Sequence, residues 1–251
     1  MIICKNCGQP AEGSFCSNCG QKTNTDRITI PGLLLELPHS VFHIDRGIIY
    51  NVRELFKNPG TAINEYLEGR RKKFFHPATY LLIALIINYI IVKVYNMHFY
   101  DEAELIAMEP LKAKAIKDYD AMQWWFLEHT YIYILFAICA SGLFLYGLYK
   151  VSRHRYNLAE SATIVLFIIA QGVLIQSFIY LCFGWVDSGP FLRNMESVNM
   201  PILILYASIA NYQLLTSVKG KILRIFYAFV AGAGLAALWI ATAYLLYLLF
   251  T

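Results

Sequence analysis

Hydrophobic and polar positions along this chain fall into two regimes that meet near residue 75. From Met1 to about Phe75 short apolar runs alternate with polar and charged residues, whereas beyond His76 long stretches are almost wholly apolar. A hydrocarbon core about 30 Å thick is crossed by roughly 20 helical residues. Five stretches reach that length, near 78–97, 131–149, 162–186, 198–216 and 225–250. Helices buried in a water-soluble protein would keep a polar stripe with a period of about 3.6 residues. Segments 131–149 and 225–250 contain no Asp, Glu, Lys or Arg at all. The pattern predicts an all-α polytopic membrane protein with five transmembrane helices occupying 78–251.

The segment 24–77 has a different character. Ile28, Ile30, Leu33, Leu34, Leu35, Leu37, Val41 and Phe42 are too apolar for a solvated linker and too interrupted to span. Ile48, Ile49, Val52, Leu55 and Phe56 have helical spacing, with Arg53, Glu54 and Lys57 on other faces, and the breaker Asn58-Pro59-Gly60 ends that stretch. A third piece, Ala62 to Leu67, runs into Glu68-Gly69. Amphipathic pieces of this kind lie in the membrane interface or cover the cytoplasmic ends of spans. Arg70, Arg71, Lys72 and Lys73 follow, and are expected to hold anionic headgroups at ~1 kcal/mol each. His39, His43 and Asp45 invite a metal reading, since histidines four apart share a helix face. Pro38 and Gly47 weaken that helix and no fourth ligand follows, so they read chiefly as interfacial polar residues.

Composition agrees with the pattern. Of 251 residues 58% are hydrophobic and 15% charged, against about 25% charged in an ordinary soluble domain. The net charge of +4 is too small to indicate a nucleic-acid partner. Its distribution is more informative, because Lys and Arg gather in short cytoplasmic loops. Loop 150–161 carries Lys150, Arg153 and Arg155, and loop 217–224 carries Lys219, Lys221 and Arg224, whereas loop 98–130 is acidic and loop 187–197 holds Arg193 alone among Lys and Arg. The expected topology is N-terminus cytoplasmic and C-terminus periplasmic, in a bacterial inner membrane. No apolar run of 7–15 residues opens the chain, so no signal peptide is expected. In the outer loop a short helix is expected within Asp101–Asp120, and Trp124 and Trp125 mark the outer entry to the second span.

Four of the six cysteines form Cys4-x-x-Cys7-Gly8 and Cys16-x-x-Cys19-Gly20. Two-residue spacing lets both thiolates of a pair reach one ion, and two such knuckles close a tetrahedral Cys4 site without an open position. This is the pattern of a structural Zn2+ ribbon over 1–23. Redox dithiols, disulfides or a rubredoxin-like iron are the other possibilities; a cytoplasmic setting disfavours disulfides. The connector leaves room for a short hairpin, with Phe15 expected to pack on it. Cys139 and Cys182 fall inside spans and read as small apolar residues.

Polar residues inside spans are functional candidates by default. Asn88 and Lys93 occur in the first span, Glu160 opens the third, Gln171 and Gln176 lie within it, and Asn211 and Gln213 lie in the fourth. Glu160 is expected near Arg153, Arg155 or the basic run before the first span. Gln171, Gln176 and Asn211 are expected to join helices by hydrogen bonds. Ala228, Gly232 and Ala236, with Ala233, Ala237 and Ala241 beside them, suit close packing within or between chains.

The order of these motifs resembles a known family. Cys19-Gly20-Gln21-Lys22, Arg27, His43-x-Asp45-x-Gly47, Asn58-Pro59-Gly60, Tyr66-Leu67-x-Gly69-x-Arg71 and Phe75-x-Pro77-x-x-Tyr80 look like the zinc-ribbon membrane proteins of Bacteroidetes termed DUF3667. The resemblance is specific over about 1–82. Family members carry a His after the Glu at this place, where Ser161 follows Glu160 here. The five-span plan is also similar, at the level of topology, to the Yip1 superfamily. Neither resemblance implies a reaction, and no catalytic motif such as His-Glu-x-x-His or Gly-x-Ser-x-Gly occurs. The reading is a non-enzymatic membrane protein whose zinc ribbon and amphipathic collar engage a protein or lipid partner, or a further copy of the chain. The alternative is a small transporter or channel component built on polar residues of spans 1, 3 and 4.

Overall fold

The computed structural model describes residues 2–35, 47–95, 97–98, 100–154, 156–186 and 188–250. His39, His43 and Asp45 therefore lie outside the described residues. At the N-terminus β1 (Ile2–Ile3) pairs antiparallel with β2 (Pro10–Ala11), with Ile2 opposite Ala11. There follow α1 (Ile30–Leu35), α2 (Gly47–Lys57), α3 (Pro59–Leu67), α4 (Pro77–Tyr95), α5 (Glu102–Ile106), α6 (Pro110–Glu128), α7 (Thr130–Val151), α8 (Leu158–Phe183), α9 (Gly189–Leu214) and α10 (Lys221–Phe250).

Local chemistry sets several of these boundaries. Asn58 separates α2 from α3, which opens on Pro59, where the missing N–H removes no helical bond. Asn157 and Glu160 form a reciprocal capping box at the start of α8, so two of its four orphan N-terminal donors are satisfied by side chains. The segment between α4 and α7 contains two helices, α5 and α6, and the second carries Trp124 and Trp125 into the start of α7.

Four helices are long and apolar enough to cross a membrane: Pro77–Tyr95, Ile132–Val151, Leu158–Phe183 and Lys221–Phe250. All but the last two residues of the expected stretch 198–216 fall within α9, which is 26 residues long but is diluted by Asn199, Asn211 and Gln213 and interrupted by Pro201. Helix α9 also begins at Gly189, inside what the charge pattern assigns to a loop. Its polar first turns are held by the segment between α4 and α6: Asp101 Oδ1 accepts the Gly189 N–H at 3.0 Å, and Arg193 pairs with Glu104. A hydropathy window cannot anticipate those partners.

Helix α8 is the axis of the fold and the most buried of the long helices. Parallel to it runs α4, tied by Tyr80 to Gln171, by Asn88 to Ser177 and by Tyr95 to the Leu181 carbonyl. Helix α7 packs antiparallel, with Gly142 beside Ala162. Helices α9 and α10 form an antiparallel pair in which Gly232 meets the Ile204 carbonyl and Ser208. Apolar side chains such as Leu82, Ile86 and Ile90 on α4, Leu135 and Leu143 on α7, and Phe229, Leu245 and Leu249 on α10 remain exposed around this core.

The chain direction alternates, so the N-terminal ends of α4, α8 and α10 share one end with the C-terminal ends of α7 and α9. The collar fills that end. Helix α3 packs against α9, with the Gly60 N–H donated to Gln213 Oε1 at 2.8 Å, and Tyr66 meets Phe167 edge to face. Helix α2 places Asn51 and Leu55 inward, both fully buried, while Ile49, Val52 and Phe56 stay exposed. Carbonyls of α2 accept from the bundle, Val52 from Gln171 and Leu55 from Tyr206.

Candidate metal centre and its dock on the helices

Each Cys pair begins with the same backbone loop. The Cys4 N–H donates to the Gln9 carbonyl and the Gly8 N–H to the Cys4 carbonyl; the Cys16 N–H donates to Gln21 and the Gly20 N–H to Cys16, all at 2.8–2.9 Å. Gly8 and Gly20 sit at φ of 76° and 71°, a left-handed conformation that favours glycine and explains its place after the second Cys of each pair.

These two loops bring four sulfurs within 4.8 Å of one another. Cys4 and Cys19 Sγ are 3.6 Å apart, as are Cys7 and Cys16 Sγ, and none of the four is in a disulfide. A tetrahedron with metal–sulfur bonds of about 2.3 Å has sulfur–sulfur edges of about 3.8 Å, so the four thiols fit one ion. Cys4 and Cys16 are buried and Cys7 and Cys19 partly exposed. Gln9, through its backbone, and the Asn18 side chain hold the Cys7 thiol down to about 6, whereas burial pushes Cys19 up to about 11. A thiolate is thus already favoured at one corner, which suits a cation. Ala11, not Phe15, is the apolar residue that packs on the cluster. Phe15 is 57% exposed, because its bridge to Lys22 holds it away from the sulfurs.

Beyond the second knuckle, residues 21–28 strap the cysteine module to the bundle. Gln21 is buried, and its Oε1 accepts the backbone N–H groups of Arg71 at 3.0 Å and Lys72 at 3.1 Å. Lys5 donates to the Thr25 carbonyl, and Arg71 to the Asp26 carbonyl. Gly69, at φ 102°, passes so close that a Cβ there would meet Thr25 Oγ1 at 2.8 Å. Arg27 then reaches across to Glu160, with two hydrogen bonds of 2.9 and 2.5 Å to the two carboxylate oxygens. Asn157 Nδ2 adds a bond to the Ile28 carbonyl.

Glu160 is the pivotal group of this dock. Its side chain is 6% exposed, it completes the α8 capping box, and its cationic partner is Arg27 rather than Arg153 or the basic run. That run is largely engaged within the protein. Arg70 pairs with Glu65 and Glu68, Lys73 with Glu65, and Arg71 lies over the Tyr66 ring. Gln171 and Asn211 act between helices, Gln171 accepting from Tyr80 and Asn211 from Tyr149, the latter at 2.5 Å. Gln21 and Arg27 were visible in the sequence only as parts of a motif; the 133-residue separation of Arg27 and Glu160 hides their pairing from any local pattern.

Hydrogen bonds to a charged group contribute roughly 1.5–3 kcal/mol, and the exposure of Arg27 places this pair toward the low end. Arg27→Met and Glu160→Gln are each expected to accelerate hydrogen exchange in residues 21–28, and the double variant to be little worse than either single one. Additive effects in that cycle would show that the two residues are not coupled.

A model of the family described as "Protein of unknown function (DUF3667)" matches residues 45–88, covering α2, α3 and the first half of α4. No curated protein and no solved structure matches the chain. The metal-ready cysteines lie outside the matched region, so what the comparison recognises is the collar and its entry into the first span. Over that region the chain is similar to the DUF3667 family of unknown function.

Proposed function

We propose that this is a five-span membrane protein of the bacterial inner membrane that works as a non-enzymatic adaptor, its cytoplasmic Zn2+ ribbon presenting an apolar face to a protein partner. The observation that carries the reading is the two-sidedness of the ribbon. One side is fixed to the bundle through Gln21 and Arg27, while Ile2, Ile3 and Phe15 remain exposed on a module with almost no core of its own. Exposed large apolar side chains on a rigid, tethered module are typical of interaction sites.

Zinc is favoured over iron because the four thiols leave no open position and the site serves a small fold that needs cross-linking. Supporting the fifth crossing, α9 runs from the Asp101 end to the Gly60 end alongside α10. Supporting the cytoplasmic placement of the N-terminus, the ribbon shares its end of the bundle with Lys150, Arg153, Lys219, Lys221 and Arg224, as the excess of positive charge in cytoplasmic loops requires. The exposed face of α2 then meets the inner leaflet, with Ile49, Val52 and Phe56 among lipid chains.

The test is cross-linking in native membranes followed by identification of captured proteins. A specific cytoplasmic protein is expected with the intact chain and is expected to be lost with Ile3→Asp or Phe15→Asp while metal content stays unchanged. An identical set of captured proteins for intact and substituted chains would overturn the adaptor reading. A reporter fused after Thr251 is expected to be active outside the cytoplasm; cytoplasmic activity would overturn the five-span topology.

A further inference from the structure

Three adjoining cavities form one crevice in the half of the bundle remote from the ribbon. The largest, about 600 Å³, lies between α6, α9 and α10. A second of about 180 Å³ extends toward α4, and a third of about 90 Å³ runs between α8, α9 and α10. Met200 and Trp239 line all three, so the cavities meet there. The largest falls within the range of about 300–1,000 Å³ usual for small-molecule sites.

The chemistry of the lining is distinctive. Among the described lining residues Arg193 is the one charged side chain, and it is ion-paired with Glu104. The crevice is therefore electrically close to neutral. Its largest part is mainly apolar, with Phe126, Ile240, Ala243 and Tyr244 along it. Where it narrows toward α4, two amides are set in that apolar surround. Asn88 donates its N–H to Ser177 Oγ at 3.2 Å, and Gln123 donates to the Tyr119 hydroxyl at 2.7 Å. Each amide commits one of its two N–H groups to a neighbour, which leaves the other N–H and the carbonyl oxygen to offer a ligand hydroxyl both a donor and an acceptor. The Trp239 indole, which can only donate, lines the same place.

We propose that this crevice binds an uncharged glycerolipid with a free hydroxyl, of the diacylglycerol class. The hydroxyl donates to the carbonyl oxygen of Asn88 or Gln123, an ester carbonyl accepts from Trp239, and an acyl chain lies along Phe126, Ala243 and Tyr244. A charged phospholipid headgroup is disfavoured because Arg193 is already neutralised by Glu104. A water-soluble solute is disfavoured by the apolar remainder. This assignment rests on the reading of the chain as a membrane protein, and adds a ligand to it.

The experiment uses the full chain in lipid nanodiscs with a photoactivatable diacylglycerol. Flotation with lipid first establishes membrane insertion, so failure there counts against the membrane reading and not against the crevice. Labelling is expected on peptides containing Gln123, Met200 and Trp239, competed by unlabelled diacylglycerol and not by phosphatidylglycerol. Gln123→Leu removes a hydrogen-bond acceptor, and Ala243→Phe fills the apolar part without touching either amide; each is expected to lower labelling about tenfold, the equivalent of one or two hydrogen bonds or a blocked chain. Equal competition by phosphatidylglycerol would overturn the neutral-lipid assignment. Labelling confined to the exposed outer residues Phe178 and Leu181 would show only surrounding bilayer and overturn the site.

Discussion

Replacing Cys4 and Cys16 together by Ser is expected to abolish metal binding and to unfold residues 2–28, while α4 to α10 stay assembled. The first knuckle and the second each lose one thiolate, so neither retains a pair. The cysteine module has little else to hold it: β1 and β2 are two residues each, and the buried apolar residues around the cluster reduce to Ala11 and the cysteines. Metal coordination in comparably small modules supplies on the order of 10 kcal/mol or more of folding free energy, which no hairpin of this size replaces. Elemental analysis is expected to fall from about one metal per chain to near zero, and limited proteolysis to cut within 2–28. A protease-resistant N-terminus in the double variant would show that the fold does not depend on metal. Unfolding also withdraws Gln21 from Arg71 and Lys72 and Arg27 from Glu160. The buried Glu160 carboxylate then loses its counterion, so the start of α8 is expected to show faster hydrogen exchange as a secondary effect.

The second large effect is expected at Gly232→Leu. Even a Cβ at this position would stand 2.3 Å from Ser208 Oγ and 2.7 Å from the Ile204 carbonyl. The nearer neighbour could turn aside, but the carbonyl belongs to the α9 backbone and cannot yield without separating the helices. Small residues let helices approach in a membrane, where association depends on close packing and not on the hydrophobic effect. Overpacking of this kind typically costs about 1–3 kcal/mol, occasionally more, and a clash with backbone belongs at the upper end. A fall in thermal stability in detergent, together with loss of cross-linking between Cys pairs placed on α9 and α10, is the expected result. Unchanged stability would mean that the two helices are not in the close contact described. Ala237→Leu, at an exposed position on the same helix, is the matched control and is expected to be neutral.

Why some features could be read from the sequence and others not follows from the range of the interactions. The cysteine module was legible because its information is local: spacing brings two thiolates to one ion, and the Gly after each pair takes the left-handed turn that closes the loop. The capping box of Asn157 and Glu160 is local in the same way. Phe15 shows the limit of such reasoning, since its apolar character suggested a place on the cluster and its cross-strand bridge to Lys22 put it outside. Arg70 to Lys73 show it again. A basic run before a span suggests headgroup contact, but Glu65 on α3, Glu68 at its C-terminal cap and the carbonyl of Asp26 reach these side chains first.

Helix α9 marks the sharpest difference between hydropathy and packing. Its polar residues depress the apolar average, yet Asn211 is buried and bonded to Tyr149 and the Ala207 carbonyl, and Arg193 is paired with Glu104. Polar groups that find partners inside the bundle need not face lipid, so a helix can carry them along the bundle while scoring poorly as a span. The same principle separates the candidate polar residues. Gln171 and Asn211 serve as buried links between helices, whereas Asn88, which also bonds to α8, and Gln123 border the crevice. No one-dimensional pattern distinguishes these roles.

By itself the sequence determined the apolar bundle, the collar ahead of it, the asymmetry of charge between its two ends and the four-thiol cluster, because each is set by periodicity, composition or spacing of a few residues. The tertiary structure alone decided that Arg27 clamps the cysteine module to Glu160, that α3 seats Gly60 against Gln213 of α9, that Ile2, Ile3 and Phe15 stay exposed, and that a neutral crevice opens around Trp239. These depend on pairs of residues many turns apart, whose meeting is fixed by how helices pack and not by the order in which they are written.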